Sequence, residues 1–151
     1  MSYTTQLQDI ANRYMKSGGG RPATAREIAA WAIHEGLWQP QPADLVDQCA
    51  DQLSRAMRED YITDAQGRTV RAKHAARLKN NGHQMAFWAD IRTADRSYME
   101  IAFKQRRRQI VGDCHQLKMD VDSYNENRCK DTPIQMVFDF TRDLEELATV
   151  A

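Results

Sequence analysis

Apolar residues near the start of the chain recur at helical spacing and predict an amphipathic helix. Leu7, Ile10 and Tyr14 stand three or four positions apart, so they share one face of a helix. The three consecutive glycines at 18–20 end it, because glycine loses more backbone entropy than any other residue on becoming helical. The pattern therefore predicts a first helix that stops at the glycine run.

Two more helices are predicted before residue 60. Thr24 and Glu27 form a capping-box pattern, in which each side chain accepts a hydrogen bond from a free backbone N–H at the start of a helix. The helix that follows is apolar over most of its circumference, so we expect it inside the domain with Trp31 buried. Pro42 suits the first position of a third helix. That helix has one apolar side, on which we expect Leu53 to be buried.

The rest of the pattern predicts short strands around one long helix. Two β-prone runs at 61–63 and 69–70 flank a turn that contains Gly67, which predicts a small hairpin. Residues 85–91 alternate between apolar and polar and favour a strand, with a helix as the alternative. Residues 93–128 favour a single helix about 52 Å long. Its apolar residues recur every seven positions, at Phe103, Ile110, Leu117 and Tyr124.

The C-terminal residues complete the predicted fold class. Residues 134–140 alternate and predict another strand, and residues 141–148 predict a last short helix. The sequence as a whole therefore predicts a mainly α fold with a small β component, in the α+β class. The predicted architecture is a winged helix-turn-helix followed by a long helix that short strands flank.

Three helices followed by a hairpin is the element order of a winged helix-turn-helix, and residues 4–77 resemble that family. In detail they are similar to the HARE-HTH group. The similarity lies in the T-x-x-E-I-A start of the second helix at 24–29, its Gly36-Leu37-Trp38 exit, and the long third helix that leads into Tyr61-Ile62. The resemblance implies a DNA-binding domain over residues 1–80. Residues 81–151 then form a long-helix region for dimerisation or interaction.

The charges are segregated along the chain although they sum to zero. There are 21 Lys and Arg residues against 21 Asp and Glu residues. Residues 65–89 carry five basic residues and no acid, and residues 92–108 carry six basic residues against two acids. Residues 109–151 carry four basic residues against nine acids. Clustered charge of one sign creates a local field even when the total vanishes, so the basic segments favour a polyanionic partner.

The candidate nucleic-acid-binding residues fall into three groups. Lysine and arginine side chains on the predicted wing are candidates for phosphate contact, with a solvated hairpin as the alternative. Glutamine and arginine side chains on the third helix are candidates for base contact, although Asp51 can instead pair with Arg55 one turn on. A second basic cluster lies on the long helix. The candidates are Arg68, Arg71, Lys73, Arg77 and Lys79 on the wing, Gln48, Gln52, Arg55 and Arg58 on the third helix, and Arg106, Arg107 and Arg108 on the long helix.

The long-helix cluster and the apolar stripe leave alternatives open. The arginines of 106–108 can be a solvated surface, a phosphate contact, or partners for the acidic residues of the C-terminal tail. The stripe can pack against the chain's own strands or against the same helix in a second copy, which predicts a homodimer. The expected partners are accordingly double-stranded DNA and a second copy of the chain. The rival interpretation is a protein-interaction module, which the acidic residues of the third helix favour.

Other functional classes find no support in the sequence. Three widely spaced cysteines, Cys49, Cys114 and Cys129, argue against a disulfide framework and favour a reducing cytoplasm. They also lack the paired short spacings of a zinc site, so we expect no metal and no cofactor. No phosphate loop, dinucleotide-binding glycine pattern or Ser/His/Asp arrangement is visible, and we expect no enzyme. No apolar run reaches the roughly 20 residues of a membrane-spanning helix.

Overall fold

The computed structural model describes residues 2–18, 21–40 and 45–149. Helices and two small antiparallel sheets make up this part of the chain, which confirms the α+β class. Pro42, predicted to begin the third helix, lies outside the described residues. The elements in chain order are α1 (Tyr3–Ser17), α2 (Ala25–His34), α3 (Leu45–Arg58), β1 (Tyr61–Thr63), β2 (Thr69–Arg71), β3 (Lys73–Asn80), β4 (His83–Asp90), α4 (Arg96–Asn127) and α5 (Thr141–Thr149).

Internal contacts divide the chain into two compact units, Met1–Ala50 and Asp51–Ala151, and the division falls within α3. The domain boundary predicted at residue 80 lies at the turn between β3 and β4. These two strands are paired along their full length. The second unit contains both sheets and α4. It also contains every side chain of the candidate site described below.

In the first unit, α1 ends at Ser17, as the glycine run predicted. The predicted capping box of α2 is present: the Glu27 N–H donates to Thr24 Oγ1 at 3.0 Å, and the Thr24 N–H donates to Glu27 Oε2 at 3.2 Å. The two helices meet edge-on at Tyr14 and Trp31, whose ring centroids are 5.4 Å apart.

The predicted burial of α2 and α3 is wrong. In α2 only Ala32 is buried among the described residues, Trp31 is half-buried and Ile33 is 56% exposed. On α3, Leu53 is 55% exposed. Helical periodicity shows which residues share a face, but it carries no information on whether another element covers that face.

Two β-hairpins follow α3. The first confirms the predicted strands: β1 pairs antiparallel with β2, and Gly67 adopts φ +84° in the turn. The second pairs β3 with β4 over eight residues each, which confirms the strand predicted at 85–91. Its two-residue turn has positive φ at both Asn81 (52°) and Gly82 (81°), as the tightest hairpin turns require. Ala72 joins the hairpins, since its N–H donates to the Asp60 carbonyl and its own carbonyl accepts from Ile91 N–H, both at 2.8 Å.

The predicted long helix is confirmed as α4, which has 32 residues. Asp95 caps its N-terminus by accepting a hydrogen bond from the Tyr98 N–H at 2.8 Å. The first part of α4 lies against β3. The Tyr98 hydroxyl is 2.7 Å from the His74 carbonyl oxygen, and His74 and Phe103 meet edge-on with ring centroids 5.4 Å apart.

The strand predicted at 134–140 is wrong, whereas the last helix is confirmed as α5. Ile134 is held by the side chain of Asn125, which accepts from its N–H at 3.0 Å and donates to its carbonyl at 2.8 Å. A strand requires a neighbouring strand to satisfy its backbone groups, and in the described part of the chain the sheets consist of β1–β2 and β3–β4 alone. Alternating hydrophobicity carries no information on whether a pairing strand is available.

The packed interior of the described residues is small. Its buried apolar residues are alanines, namely Ala32, Ala72, Ala76 and Ala102, and no large side chain among the described residues is fully buried. Much of the apolar stripe of α4 consequently faces solvent. Ile110 is 51% exposed, and Leu117 is 44% exposed.

Candidate nucleic-acid interface

A groove of about 580 Å³ lies in the second unit between one face of the β3–β4 hairpin and α4. Small side chains, Ala75 and Ala86 from the strands and Ala102 from the helix, leave room along it. We call this feature the basic groove. Its lining residues are Arg58, Arg71, Lys73, His74, Ala75, Arg77, Gln84, Ala86, Trp88, Ala102, Gln105, Arg106, Arg108 and Gln109.

Strand and helix periodicity explain why these side chains converge. Residues at alternate positions of a strand share a face, so Lys73, Ala75 and Arg77 point the same way. Their partners across the hairpin are Asp90, Trp88 and Ala86. On α4, residues 102, 105, 106 and 109 follow the i, i+3, i+4, i+7 spacing that places side chains along one helical face.

Direct bonds between α4 and β3 fix the two walls of the basic groove. The Arg77 N–H donates to Gln105 Oε1 at 2.7 Å, and Gln105 Nε2 donates to the Arg77 carbonyl at 2.9 Å. The side-chain amide thus satisfies the same pair of backbone groups that a neighbouring strand would. Tyr98 adds a second attachment at His74, and burial raises the pKa of its hydroxyl, which favours the protonated, donating form.

Six basic side chains face the groove, and none of the described residues that line it is acidic. One of the six, Lys73, is already paired: its Nζ lies 3.1 Å from Asp60 Oδ2 and 3.2 Å from Asp90 Oδ2, and these hydrogen bonds raise its pKa. Asp90 also accepts from Arg92 at 2.7 Å, which with the Lys73 bond holds the pKa of its carboxyl far below the usual value.

The five arginines of the groove lack such partners. The ion pairs in the described part of the chain do not include Arg58, Arg71, Arg77, Arg106 or Arg108. Burial and the nearby charge of Arg71 lower the pKa of Arg106. Arginine stays protonated in proteins, so two like charges that both line the groove repel each other, while Arg106 remains exposed. An anion bound between them would offset that repulsion.

An aromatic side chain lies in the same groove. The Arg58 guanidinium carbon is 5.6 Å from the centroid of the Trp88 ring, within the range of a cation–π contact. Trp88 lines the groove and is half-buried. Flat π surface and unpaired positive charge are therefore combined in one concavity.

The structure brings six of the predicted site residues together. Arg58, Arg71, Lys73, Arg77, Arg106 and Arg108 line the basic groove, so residues from the predicted wing, the third helix and the long helix converge. Lys73, Arg77 and Lys79 lie on β3 rather than on the β1–β2 hairpin, which corrects their assignment to the wing.

The other six predicted residues are not among the lining residues of the groove. Arg68 bonds Asp64 at 2.8 Å within the β1–β2 turn. Lys79 on β3 and Arg107 on α4 are exposed. On α3, Gln48, Gln52 and Arg55 are exposed. Gln48 belongs to the first unit.

Sequence reasoning missed Trp88 and the glutamines Gln84, Gln105 and Gln109. The available signal was Asn81-Gly82, since Asn-Gly between two β-prone runs indicates a two-residue hairpin turn. Folding the chain at that turn places Trp88 opposite Ala75, beside the basic residues of β3. Nothing in the sequence indicated that Gln105 would bond the β3 backbone.

Acidic residues of the C-terminal segment make local contacts. Asp139 accepts from the Thr141 N–H and from the Thr141 hydroxyl, which lower the pKa of its carboxyl. Within the described ranges, no salt bridge joins an acid of this segment to an arginine of the basic groove.

No family of proteins, no curated protein and no solved structure matches this chain. Among residues 2–18, 21–40 and 45–149, no helix combines the length and the apolar character needed to span a membrane. The functional assignment accordingly depends on the groove and its side chains.

Proposed function

We propose that this protein binds nucleic acid through the basic groove, with double-stranded DNA as its expected partner. The observation that carries the proposal is the convergence of Arg58, Arg71, Arg77, Arg106 and Arg108 in one concavity without a carboxylate partner among the described residues. Each arginine that neutralises a phosphate releases condensed counterions, which supplies affinity that is independent of sequence.

The docking element in this proposal is the groove and not the β1–β2 wing alone. Arg68 at the wing turn is occupied by Asp64, while Arg71 at the base of β2 faces the groove. Because phosphate contacts position a protein without reading bases, the groove favours binding with little sequence preference. Such binding suits a DNA-associated accessory factor, whereas a transcriptional regulator would also need base contacts.

A protein-interaction module is the second candidate, and exposed apolar side chains favour it. Leu144 and Leu147 on α5 are 65% and 71% exposed, and Val137 before this helix is 80% exposed. Leu144 and Leu147 stand three residues apart and share one face of α5. Apolar surface of this kind marks docking sites for proteins.

A fluorescence anisotropy titration with labelled duplex DNA at about 50 and 200 mM salt tests the proposal. If the arginines of the groove neutralise three to five phosphates, we expect binding at low salt and a loss of roughly 40- to 500-fold at the higher salt. Absence of duplex binding at low salt, or duplex binding that is insensitive to salt, would overturn double-stranded DNA as the partner. If a single strand also fails to bind, nucleic-acid binding is overturned and the protein-interaction module is left.

A further inference from the structure

We infer that the basic groove takes an unpaired nucleotide segment, with a base stacked at Trp88 and its phosphate held between Arg71 and Arg106. The inference rests on the proposed function, because it keeps nucleic acid as the ligand of the same groove, and it replaces the expected duplex by an unpaired strand. It is carried by the combination of a π surface and an arginine pair in one concavity of about 580 Å³.

A duplex cannot use this combination fully. Its phosphates lie on the outside, where arginines reach them, but its base faces are covered by stacking within the helix. A single strand presents bases and phosphates together, and proteins bind it by pairing aromatic side chains with basic grooves. Trp88 therefore contributes to binding only when a base is free to leave its stack.

The position of Trp88 suits this use. It comes from β4, directly across the hairpin from Ala75, so the neighbouring position on the same face carries a methyl group and not a bulky side chain. Arg58 lies over the ring at 5.6 Å. Bases stack on guanidinium planes as well as on aromatic rings, so both members of the Arg58–Trp88 pair are groups on which a base can stack.

The phosphate position follows from the pair of arginines. Arg71 ends β2, and His74 Nε2 lies 2.9 Å from the Arg71 carbonyl oxygen, which fixes the backbone there. Arg106 projects from α4, which the Gln105 bonds hold against β3. Arg71 and Arg106 come from separate elements but line the same groove, and two guanidinium groups can accept one phosphate between them.

The size of the groove also fits a short segment of chain. A volume of about 580 Å³ lies within the range of pockets that hold drug-sized ligands. Gln84 and Gln109 line the same space, and their amides can donate and accept hydrogen bonds at base edges. Stacking accepts every base, so we expect little dependence on sequence.

The test compares an oligothymidylate, a duplex of equal length and thymidine monophosphate in titrations at one salt concentration. We expect the single strand to bind at least about tenfold more tightly than the duplex. Trp88→Leu should weaken single-strand binding about 5- to 150-fold, the loss that corresponds to one base–aromatic stack, and should change duplex binding less than about twofold. Trp88→Phe retains a ring and should recover most of the affinity. Arg106→Gln should also bind nucleic acid more weakly. Its matched control is Arg107→Gln, because Arg107 is the next residue of α4 and does not line the groove.

The outcomes separate this inference from the proposed function. Equal affinity for single strand and duplex, unaffected by Trp88→Leu, would overturn the inference and leave nucleic-acid binding intact. Binding of neither polymer would overturn both. Binding of thymidine monophosphate as tight as that of the oligomer would overturn a strand as the ligand and indicate a free nucleotide.

A second measurement covers the case in which Trp88→Leu impairs folding. Oligomers that contain 4-thiothymidine can be photocrosslinked to the unaltered protein, and the attached peptides identified by mass spectrometry. We expect crosslinks within β3, β4 or residues 102–109. Crosslinks confined to α1, α2 or α5 would contradict the assignment.

Discussion

Gln105 bonds both the backbone N–H and the backbone carbonyl of Arg77, at 2.7 and 2.9 Å. One side chain of α4 thus takes the place of a neighbouring strand at a residue of β3 that itself lines the basic groove. The attachment determines how far the arginines of α4 lie from those of the hairpin. The geometry of the groove depends on it.

Replacing Gln105 by Leu should therefore destabilise the second unit and weaken nucleic-acid binding together. We expect the free energy of unfolding to fall by about 1–3 kcal/mol, because two backbone groups lose their partner. Gln116→Leu is the control, since Gln116 bonds only the exposed Asp120 and should cost less than about 0.5 kcal/mol. Urea denaturation followed by circular dichroism measures both. Equal effects of the two variants would contradict the role assigned to Gln105.

Neutralising Arg106 should stabilise the protein and weaken its binding of nucleic acid. In Arg106→Gln the repulsion with Arg71 is removed, so we expect a higher melting temperature without ligand, equivalent to less than about 1 kcal/mol. The same variant should bind nucleic acid more weakly. Thermal unfolding with Arg107→Gln as the control separates this effect from a general change of net charge. A lower melting temperature for Arg106→Gln alone would show that Arg106 has a stabilising contact.

Asp90 should make the stability of the folded protein sensitive to acid. Hydrogen bonds from Arg92 and then Lys73 hold the pKa of its folded carboxyl below that in the unfolded chain. Its contribution is therefore complete above the unfolded pKa, and it is lost as the pH falls below about 4 toward the folded pKa. The stability of Asp90→Asn should vary less with pH across that window than the stability of the wild type. Denaturation midpoints at pH 2.5, 4 and 6 measure the difference, and parallel pH profiles would rule out this role of Asp90.

The exposed apolar stripe of α4 favours the predicted homodimer. Ile110 and Leu117 stand one heptad apart and are 51% and 44% exposed, so a second copy of the helix can cover them. We expect the wild type to be a dimer by light scattering after size exclusion. Replacing both residues by Glu should give a monomer that still melts cooperatively, because a buried unpaired charge is strongly unfavourable at the seam. A monomeric wild type would eliminate the dimer.

Local patterns in the sequence predicted most elements but not the way they assemble. The capping box at Thr24 and the heptad spacing from Phe103 to Tyr124 depend on neighbours a few residues away, and the helices they predicted are present. The predictions for Leu53 and for residues 134–140 were wrong because burial and strand pairing depend on distant parts of the chain. Periodicity alone contains no information about those partners.

The candidate site shows the same limit. Charge segregation identified Arg71, Arg77 and Arg106 from the sequence, but it placed the first two on the wing and Arg106 on the long helix without predicting whether the two clusters meet. Their convergence depends on the Asn81-Gly82 turn and on the Gln105 bonds. The first has a recognisable sequence signal, whereas the second is a tertiary contact that no local rule predicts.

The salt dependence of binding by groove variants decides whether the basic groove holds phosphate. The measurement is the slope of log affinity against log salt for the wild type, for Arg71→Gln combined with Arg106→Gln, and for Arg107→Gln. If the groove holds one phosphate between Arg71 and Arg106, the double variant should lose about 0.7 from the magnitude of the slope for a single strand and about 0.9 for a duplex, because one phosphate is no longer neutralised. Arg107→Gln should leave the slope within about 0.3 of the wild type, since this side chain does not line the groove. Equal slopes for the wild type and the double variant would show that the nucleic acid binds elsewhere or not at all.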